Sequence, residues 1–311
     1  MDKNVDLVYL WVDDTDYYWK EKKKKYESTI KNNDKDAIDN CRFYNNDELK
    51  FSLRSVAQNA PWINKIFIIT DNQIPEWINI EHPKIKIIDH REIIPNEKLP
   101  LFNSCAIESR IPYIKELSEF FIYANDDCFI WKPIDKDFFF LGDKPICRMD
   151  KKLKYKKVYN HLYGYTIFNM YKLVEKRFFV WFYPYFPHHN IDAYRKSLFL
   201  ECIKEYESEF SQTLNNRFRN FSDVQRIIVS FYSLAKNKAV IKNKQSFIER
   251  LLKKEQDSCV ISLKKSTISR IKKIKSKLVC INDNRKTTDN ERLKVHKLLE
   301  EIFPNKSEYE L

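Results

Sequence analysis

Three residues at the end of one apolar run carry the clearest chemistry in this chain. Phe120-Phe121-Ile122-Tyr123-Ala124 runs into Asn125, Asp126 and Asp127, then returns to Phe129-Ile130-Trp131. Two adjacent carboxylates beside an amide are hard oxygen donors, suited to Mg²⁺ or Mn²⁺ on a diphosphate. The same residue types also build ordinary turns, so the trio alone leaves both readings open. Other groups of this kind recur along the chain. Asp13-Asp14-Thr15-Asp16 follows the apolar run VDLVYLWV, and Asn282-Asp283-Asn284 follows Lys277–Ile281. His188 and His189 close an aromatic stretch, WFYPYFPHH. A neutral imidazole there would accept a proton or hydrogen-bond an oxyanion. Arg217 and Arg219 in NNRFRN could clamp phosphate, or simply form a solvated face. Arg54 could reach a phosphate or make a structural ion pair.

Such groups act together only if the chain brings them to one edge. The runs Val5–Val12, Lys65–Thr70, Ile85–Asp89 and Phe120–Ala124 have the length and β-branched content of buried strands. Asn46-Asp47-Glu48 starts a helix with Leu49, Leu53 and Val56 on its apolar face, and Pro61 ends it. The spacing of Ala106, Ile107, Ile111, Ile114 and Leu117 predicts a helix over Phe102–Phe120. This alternation argues for a largely parallel α/β sheet, whose ligands sit at the carboxyl ends of its strands. Further on, a helix is predicted over Asn160–Arg177, a loop over Trp181–His189, and a helix from Asn190 or Asp192 that would place His189 at its N-terminus. Ser222-Asp223 would cap a helix reaching Leu234. Strands at Ser258–Leu263 and Lys277–Ile281 and a helix over Asp289–Phe303 close the chain. Lys20–Asp39 and Lys151–Lys157 read as exposed segments. Lys264–Lys277, with seven basic residues and no acid, reads as a solvated helix or a membrane-surface or polyanion contact.

Composition narrows the chemistry. Only Gly142 and Gly164 are present, so glycine-rich phosphate cradles are excluded and phosphate must be held by side chains, metal or helix ends. The seven cysteines include no CxxC pair, which reads as reduced cytosolic thiols without a zinc site. The N-terminus has acids where a signal peptide needs an apolar stretch, and no run is long enough to span a membrane. A net charge of +12 fits polyanions or phosphorylated substrates, as well as a lysine-rich solvated surface.

Taken in order, these segments resemble the Stealth family of sugar-phosphate transferases. The first conserved region resembles DLVYLWVD from Asp6. The second is long and specific: RFYNNDELKFSLRSVAQNAPWINKIFIITDNQIPEWI from Arg42, then IKIIDHREIIP, LPLFNSCAIES and FFIYANDD. The third resembles PHHNID from Pro187 with FRNFSDVQ from Phe218, and the fourth VCINDN from Val279. Asp14 stands where the family usually has Gly, and the third region diverges most. Spacing to Ile191-Asp192 favours His189 over His188.

The resemblance implies a GT-A-like fold: a largely parallel central sheet flanked by helices, with a helical insertion and a C-terminal helix. It implies one catalytic domain over 1–311, with 1–145 as the nucleotide-sugar and metal half and 146–311 completing the site. The implied reaction moves a sugar 1-phosphate from a UDP-sugar to a glycan or lipid-linked glycan hydroxyl and releases UMP. By resemblance, Asn125, Asp126 and Asp127 hold Mg²⁺ or Mn²⁺. His189, Arg219 and Asp127 are catalytic. Trp11, Asp13, Arg54, Asn103, Glu108 and Asn282 contact substrate. The implied setting is the cytoplasmic face of a membrane, with a possible peripheral contact. Two other readings use the same features: a metal-dependent glycosyltransferase that releases UDP, and a basic nucleic-acid-binding protein. The lysines are dispersed and no nucleic-acid motif is present, which argues against the latter.

Overall fold

The computed structural model describes residues 3–27, 40–152, 162–179, 185–243, 256–264 and 268–311. Its centre is a five-stranded sheet ordered β3-β2-β1-β4-β9: β1 (Val5–Leu10), β2 (Ile66–Thr70), β3 (Ile85–Asp89), β4 (Phe120–Asn125) and β9 (Asp192–Arg195). The first four strands run parallel and β9 runs antiparallel to β4. Both faces are covered. Alternation along each strand sends Leu7, Ile68 and Ile122 to one face and Val8, Phe67 and Phe121 to the other. Helix α2 (Glu48–Asn59) packs Leu49, Leu53 and Val56 on the first face. Helices α5 (Leu162–Phe178), α6 (Lys196–Glu205) and α8 (Ile227–Ala235) supply Ile167, Phe199 and Phe231 to the second. Asp6 is fully buried within β1. Its carboxylate is satisfied by Asn64 Nδ2, Lys65 N and Ser118 N, at 2.8, 3.1 and 2.7 Å, which offsets the cost of burying it.

A smaller, three-stranded sheet follows directly from the end of β4. β5 (Cys128–Ile130) follows the Asp126-Asp127 turn and pairs antiparallel with β12 (Ser276–Asn282), which pairs parallel with β11 (Gln256–Ser262). This pairing carries the last strand back to the end of β4, about 150 residues away in sequence. A third sheet joins β7 (Lys144–Lys152) to β6 (Phe140–Leu141), β10 (Val240–Asn243) and β8 (Tyr185–Pro187). The closing helix α9 (Asp289–Ile302) starts in a capping box between Thr288 and Glu291.

Several expected elements differ. The helix predicted over Phe102–Phe120 is only α4 (Ser104–Glu108) and a 3₁₀ turn at Ile111–Tyr113. Pro112 removes a donor and blocks continuation. No helix begins at Asn190 or Asp192; that stretch is β9, drawn to the open edge of β4, and α6 starts only at Lys196. Part of the predicted loop before the histidines is β8. Asp223 does not cap the next helix, which starts at Ile227. In the basic segment 265–267 lie outside the described residues, Ile268 is helical, Ile271–Lys273 forms one 3₁₀ turn and β12 begins at Ser276. Tyr17–Glu27 forms helix α1, which runs into the stretch read as exposed from Lys20 onward; 28–39 and 153–157 also lie outside. Among the described residues, no helix is long and apolar enough to cross a membrane.

Candidate active site

The parallel strands end on one side. β1 pairs with β4 so that Leu10 lies beside Asn125. The chain segments after both strands therefore share an edge. After β1, Asp13 folds into a local turn, its Oδ1 accepting from the N–H and hydroxyl of Thr15 at 2.9 and 2.8 Å. Gln73, arriving from the end of β2, fixes this turn by bonding the Asp13 N–H and carbonyl at 3.0 and 2.9 Å. Trp11 is 7% exposed and belongs to the apolar cluster beneath the edge.

After β4, Asn125 accepts from the Tyr123 hydroxyl at 2.9 Å. Asp126 caps the next N–H, that of Asp127. Asp127 sits where β5 meets β12. Its carbonyl accepts from Ile281 N at 2.9 Å. Its carboxylate lies 3.5 Å from Cys128 Sγ, 3.4 Å from Cys280 Sγ and 3.4 Å from Asn282 Nδ2. His189 comes in from the start of β9. One donor atom each of Asp127, His189 and Cys280 lies within 4.8 Å of the others. The structure therefore brings Asp127, His189 and Asn282 together.

The two histidines are differently placed. His188 is 1% exposed and occupied on both nitrogens: Nε2 lies 2.9 Å from Asp192 Oδ1 and Nδ1 3.0 Å from Ser258 Oγ. Since a carboxylate only accepts, Nε2 carries the proton. His189 retains one loose contact, Tyr163 OH at 3.4 Å. Its pKa is lowered, first by burial, with the charges of Arg226 and Arg219 adding to the effect against Asp127 and Asp192. Burial, rather than a helix dipole, keeps this imidazole neutral.

Behind the histidines lies a buried charge network. Arg226, 3% exposed, donates from Nη1 to Asp192 Oδ2 at 2.7 Å and to Tyr194 OH at 3.1 Å. Its Nε stands 3.7 Å from Glu108 Oε2, and neither atom has a hydrogen-bond partner. Burial would raise the Asp192 pKa, yet Arg226 and His188 hold it below the usual value. Glu108 goes the other way, with burial outweighing Arg226.

Three candidate substrate contacts make bonds within the scaffold, and for Arg54 this is the structural ion pair that the sequence left open. Glu108 is 4% exposed inside this network. Asn103 is fully buried; it caps α4 and donates to Asn216 O, Phe218 O and Asp223 Oδ2. It thereby anchors the loop that carries Arg219. Arg54 is engaged by both oxygens of Glu310, at 2.9 and 2.7 Å, and by the Phe303 carbonyl. Asn103 and Arg54 have spent their polar groups on the fold, while Glu108 keeps one oxygen without a hydrogen-bond partner. Arg219 bonds the Ser104 hydroxyl, and its charge is felt at both Glu108 and His189.

Glu48 was not foreseen as part of the site, because Asn-Asp-Glu reads as a helix start. It opens α2 beside the acidic turn. Burial, then the charge of Asp126, pushes its pKa up to about 8. Burial and Asp127 push Asp126 up to about 7. Among the described residues, no cation pairs with Glu48, Asp126 or Asp127. Such a cluster favours protons or a divalent cation. The carboxylates suit Mg²⁺ or Mn²⁺, and the added imidazole and thiol fall on the softer side of that range.

A pH dependence follows. The folded pKa values lie above the ordinary 4.5 and 3.8, so the native state keeps protons that the unfolded chain releases. The stabilisation is complete below the unfolded values and is lost as pH rises through about 7 and about 8. Melting followed in chelator is expected to show Tm falling across that window, with Mn²⁺ restoring more at pH 8 than at pH 5. The doubly substituted Glu48→Gln/Asp126→Asn protein should lose that part of the slope. A wild-type profile that stays flat, or equal Mn²⁺ effects at both pH values, would remove the acidic cluster as a cation site.

Comparison with known proteins gives a consistent grouping. Residues 42–147 match the family model described as Stealth protein CR2, conserved region 2. The chain is 31% identical to the capsular polysaccharide phosphotransferase WcwK of Streptococcus pneumoniae, with both chains covered in full. It is 39% identical to fcs1 of Haemophilus influenzae over 71% of this chain and 62% of that protein. It is 33% identical to SacB of Neisseria meningitidis serogroup A over 99% of this chain and 57% of that protein. Both of the latter are also called capsular polysaccharide phosphotransferases, and this chain spans about three fifths of their length. Among solved structures it aligns with the galactosyltransferase LgtC at 8% identity and TM-score 0.47, covering 96% and 95% of the two chains. With the bifunctional WbbM the values are 10% and 0.48, covering 98% and 50%.

Proposed function

Because the chain belongs to the Stealth family of capsular polysaccharide phosphotransferases, we propose that it moves a sugar 1-phosphate from a UDP-sugar onto a glycan hydroxyl. The acceptor oxygen bonds to the β-phosphorus, and the bond from that phosphorus to the bridging oxygen breaks. UMP leaves, and a phosphodiester remains. The observation that carries this reading is the meeting of Asp127, His189 and Asn282 at one sheet edge, from three parts of the chain.

Each residue has a chemical task in this scheme. Asp13, fixed by Gln73, faces the nucleotide-sugar from the end of β1. Asp126 and Asp127, with Asn125 beside them, would hold Mg²⁺ or Mn²⁺, which when bound neutralises charge on the diphosphate. His189, kept neutral by burial, takes the acceptor proton as the new bond forms. Arg219 places a fixed cation against the oxygens of the transferring phosphoryl group. Asn282 holds the Asp127 carboxylate and offers its amide to phosphate. Arg226 and Asp192 keep the His188-His189 segment in place, and Asn103 does the same for the Arg219 loop. Residues 1–145 thus carry the nucleotide-sugar side, and 146–311 bring the base and the arginine. The setting proposed is capsule or surface-polysaccharide synthesis at the cytoplasmic face of a membrane, with a lipid-linked glycan as one possible acceptor.

The released nucleotide tests the reaction. Purified protein incubated with UDP-sugars, Mn²⁺ and glycan acceptors is expected to yield UMP. Release of UDP would instead mean that the sugar–oxygen bond breaks and that the same site performs ordinary glycosyl transfer.

A further inference from the structure

Cys128 and Cys280 face one another across the β5–β12 pair. The neighbouring backbone bonds, Ile281 N to Asp127 O at 2.9 Å and Trp131 N to Lys277 O at 2.7 Å, mark alternate positions as the hydrogen-bonded pairs. Cys128 opposite Cys280 is therefore a non-hydrogen-bonded pair, in which Cα atoms lie about 4.5 Å apart and side chains come closest. That spacing falls within the range disulfides accept, about 4.4–6.8 Å. The two thiols are close enough to influence one another's ionisation, Cys128 helping to raise the pKa of Cys280. Each also reaches the Asp127 carboxylate, Cys128 at Oδ1 and Cys280 at Oδ2. Cys105, Cys147 and Cys202, the other buried cysteines, lie on or beside other elements.

We infer that Cys128 and Cys280 form a reversible oxidative modification site, a cross-strand disulfide that removes both thiol donors from Asp127. The oxidant class is a small peroxide, because both thiols are at most 1% exposed. One thiol reduces hydrogen peroxide to water and becomes a sulfenic acid. The second thiol then displaces the sulfenic oxygen as a second water and the S–S bond closes. Two thiol protons and two electrons leave the protein in all. A dithiol reductant reverses the step by exchange. Bond formation draws the two sulfurs toward each other and away from the carboxylate, which then keeps only Asn282 of its three side-chain donors. The disulfide itself stands independently of the reaction proposed above; its effect on turnover rests on that reading.

The test treats the full chain with hydrogen peroxide and maps disulfides by mass spectrometry of peptides cut without reduction. The expected result is a crosslink between the Cys128 and Cys280 peptides, lost on adding dithiothreitol and absent from both Cys128→Ser and Cys280→Ser. Mn²⁺ affinity, read by calorimetry without any sugar substrate, is expected to weaken by about tenfold on oxidation, the loss of a few weak donors to one charged ligand, and to recover on reduction. Cys128 and Cys280 remaining free while Cys41 and Cys259 are oxidised would overturn the site. A mapped crosslink with unchanged Mn²⁺ affinity would overturn its coupling to Asp127. Failure of UMP release, with the crosslink and the affinity change both present, would count against the reaction alone.

Discussion

Replacing Asp127 by Asn is expected to lower turnover by about 10³-fold, about 4 kcal/mol of transition-state stabilisation, while leaving the fold intact. The substitution keeps the shape of the side chain and an oxygen able to accept from the Cys280 thiol or the Asn282 amide. What it removes is the negative charge. Asp127 is the residue at which the ends of β4, β9 and β12 converge, and it shares the acidic turn with Asp126. Without its charge, Asp126 loses the like-charged neighbour that raises its pKa after burial, so the remaining carboxylate should ionise more readily. Mn²⁺ affinity and turnover are then expected to fall together while the denaturation midpoint barely moves. Near-normal turnover with weakened Mn²⁺ binding would separate the cation from the chemistry and remove Asp127 from the mechanism.

The second large effect concerns stability. Arg226→Met is expected to cost about 3–5 kcal/mol, the range for removing one partner of a buried ionic group. Asp192 would lose its 2.7 Å ion pair and Glu108 the stronger of the two cations it feels. Two carboxylates would be left buried, one against His188 and the other against the Tyr123 hydroxyl. Methionine fills the volume of the stem but satisfies neither charge. Urea unfolding measures the loss directly. Arg226→Lys should recover part of it, since a point charge can still face Asp192 although it cannot reproduce the fork. Adding Asp192→Asn and Glu108→Gln to Arg226→Met should recover more, because the stranded charges are then gone. A loss below about 1 kcal/mol for Arg226→Met would mean that the network is largely neutral in the folded protein.

Much of this frame is legible in the sequence. Runs such as KIFIIT and FFIYA are short, β-branched and bounded by polar residues, and they became buried parallel strands. Leu49, Leu53 and Val56 sit on one helical face and pack on the core together. What the sequence conceals is mostly tertiary. β9 forms because the edge of β4 lacks a partner, and nothing local in Asp192–Arg195 competes with the helical pattern that follows. The placement of Cys280 and Asn282 beside Asp127 depends on a strand pairing between distant segments. Arg226 directly follows the FRNFSDVQ motif, and only burial against Asp192 and Glu108 reveals its part. Asn103 and Arg54 bear the residue types of ligand contacts, and the fold consumes both. Pro112, by contrast, was a visible break in the helix predicted through it.

The proposed reaction is tested most directly by following the donor's β-phosphorus. A UDP-sugar labelled with ³²P at the β-position would be incubated with the enzyme, Mn²⁺ and a glycan acceptor, and the acceptor separated from nucleotide. Label on the glycan, in a linkage resistant to phosphatase, is the expected result, with unlabelled UMP released. Label remaining on UDP while the sugar appears on the acceptor would contradict the account.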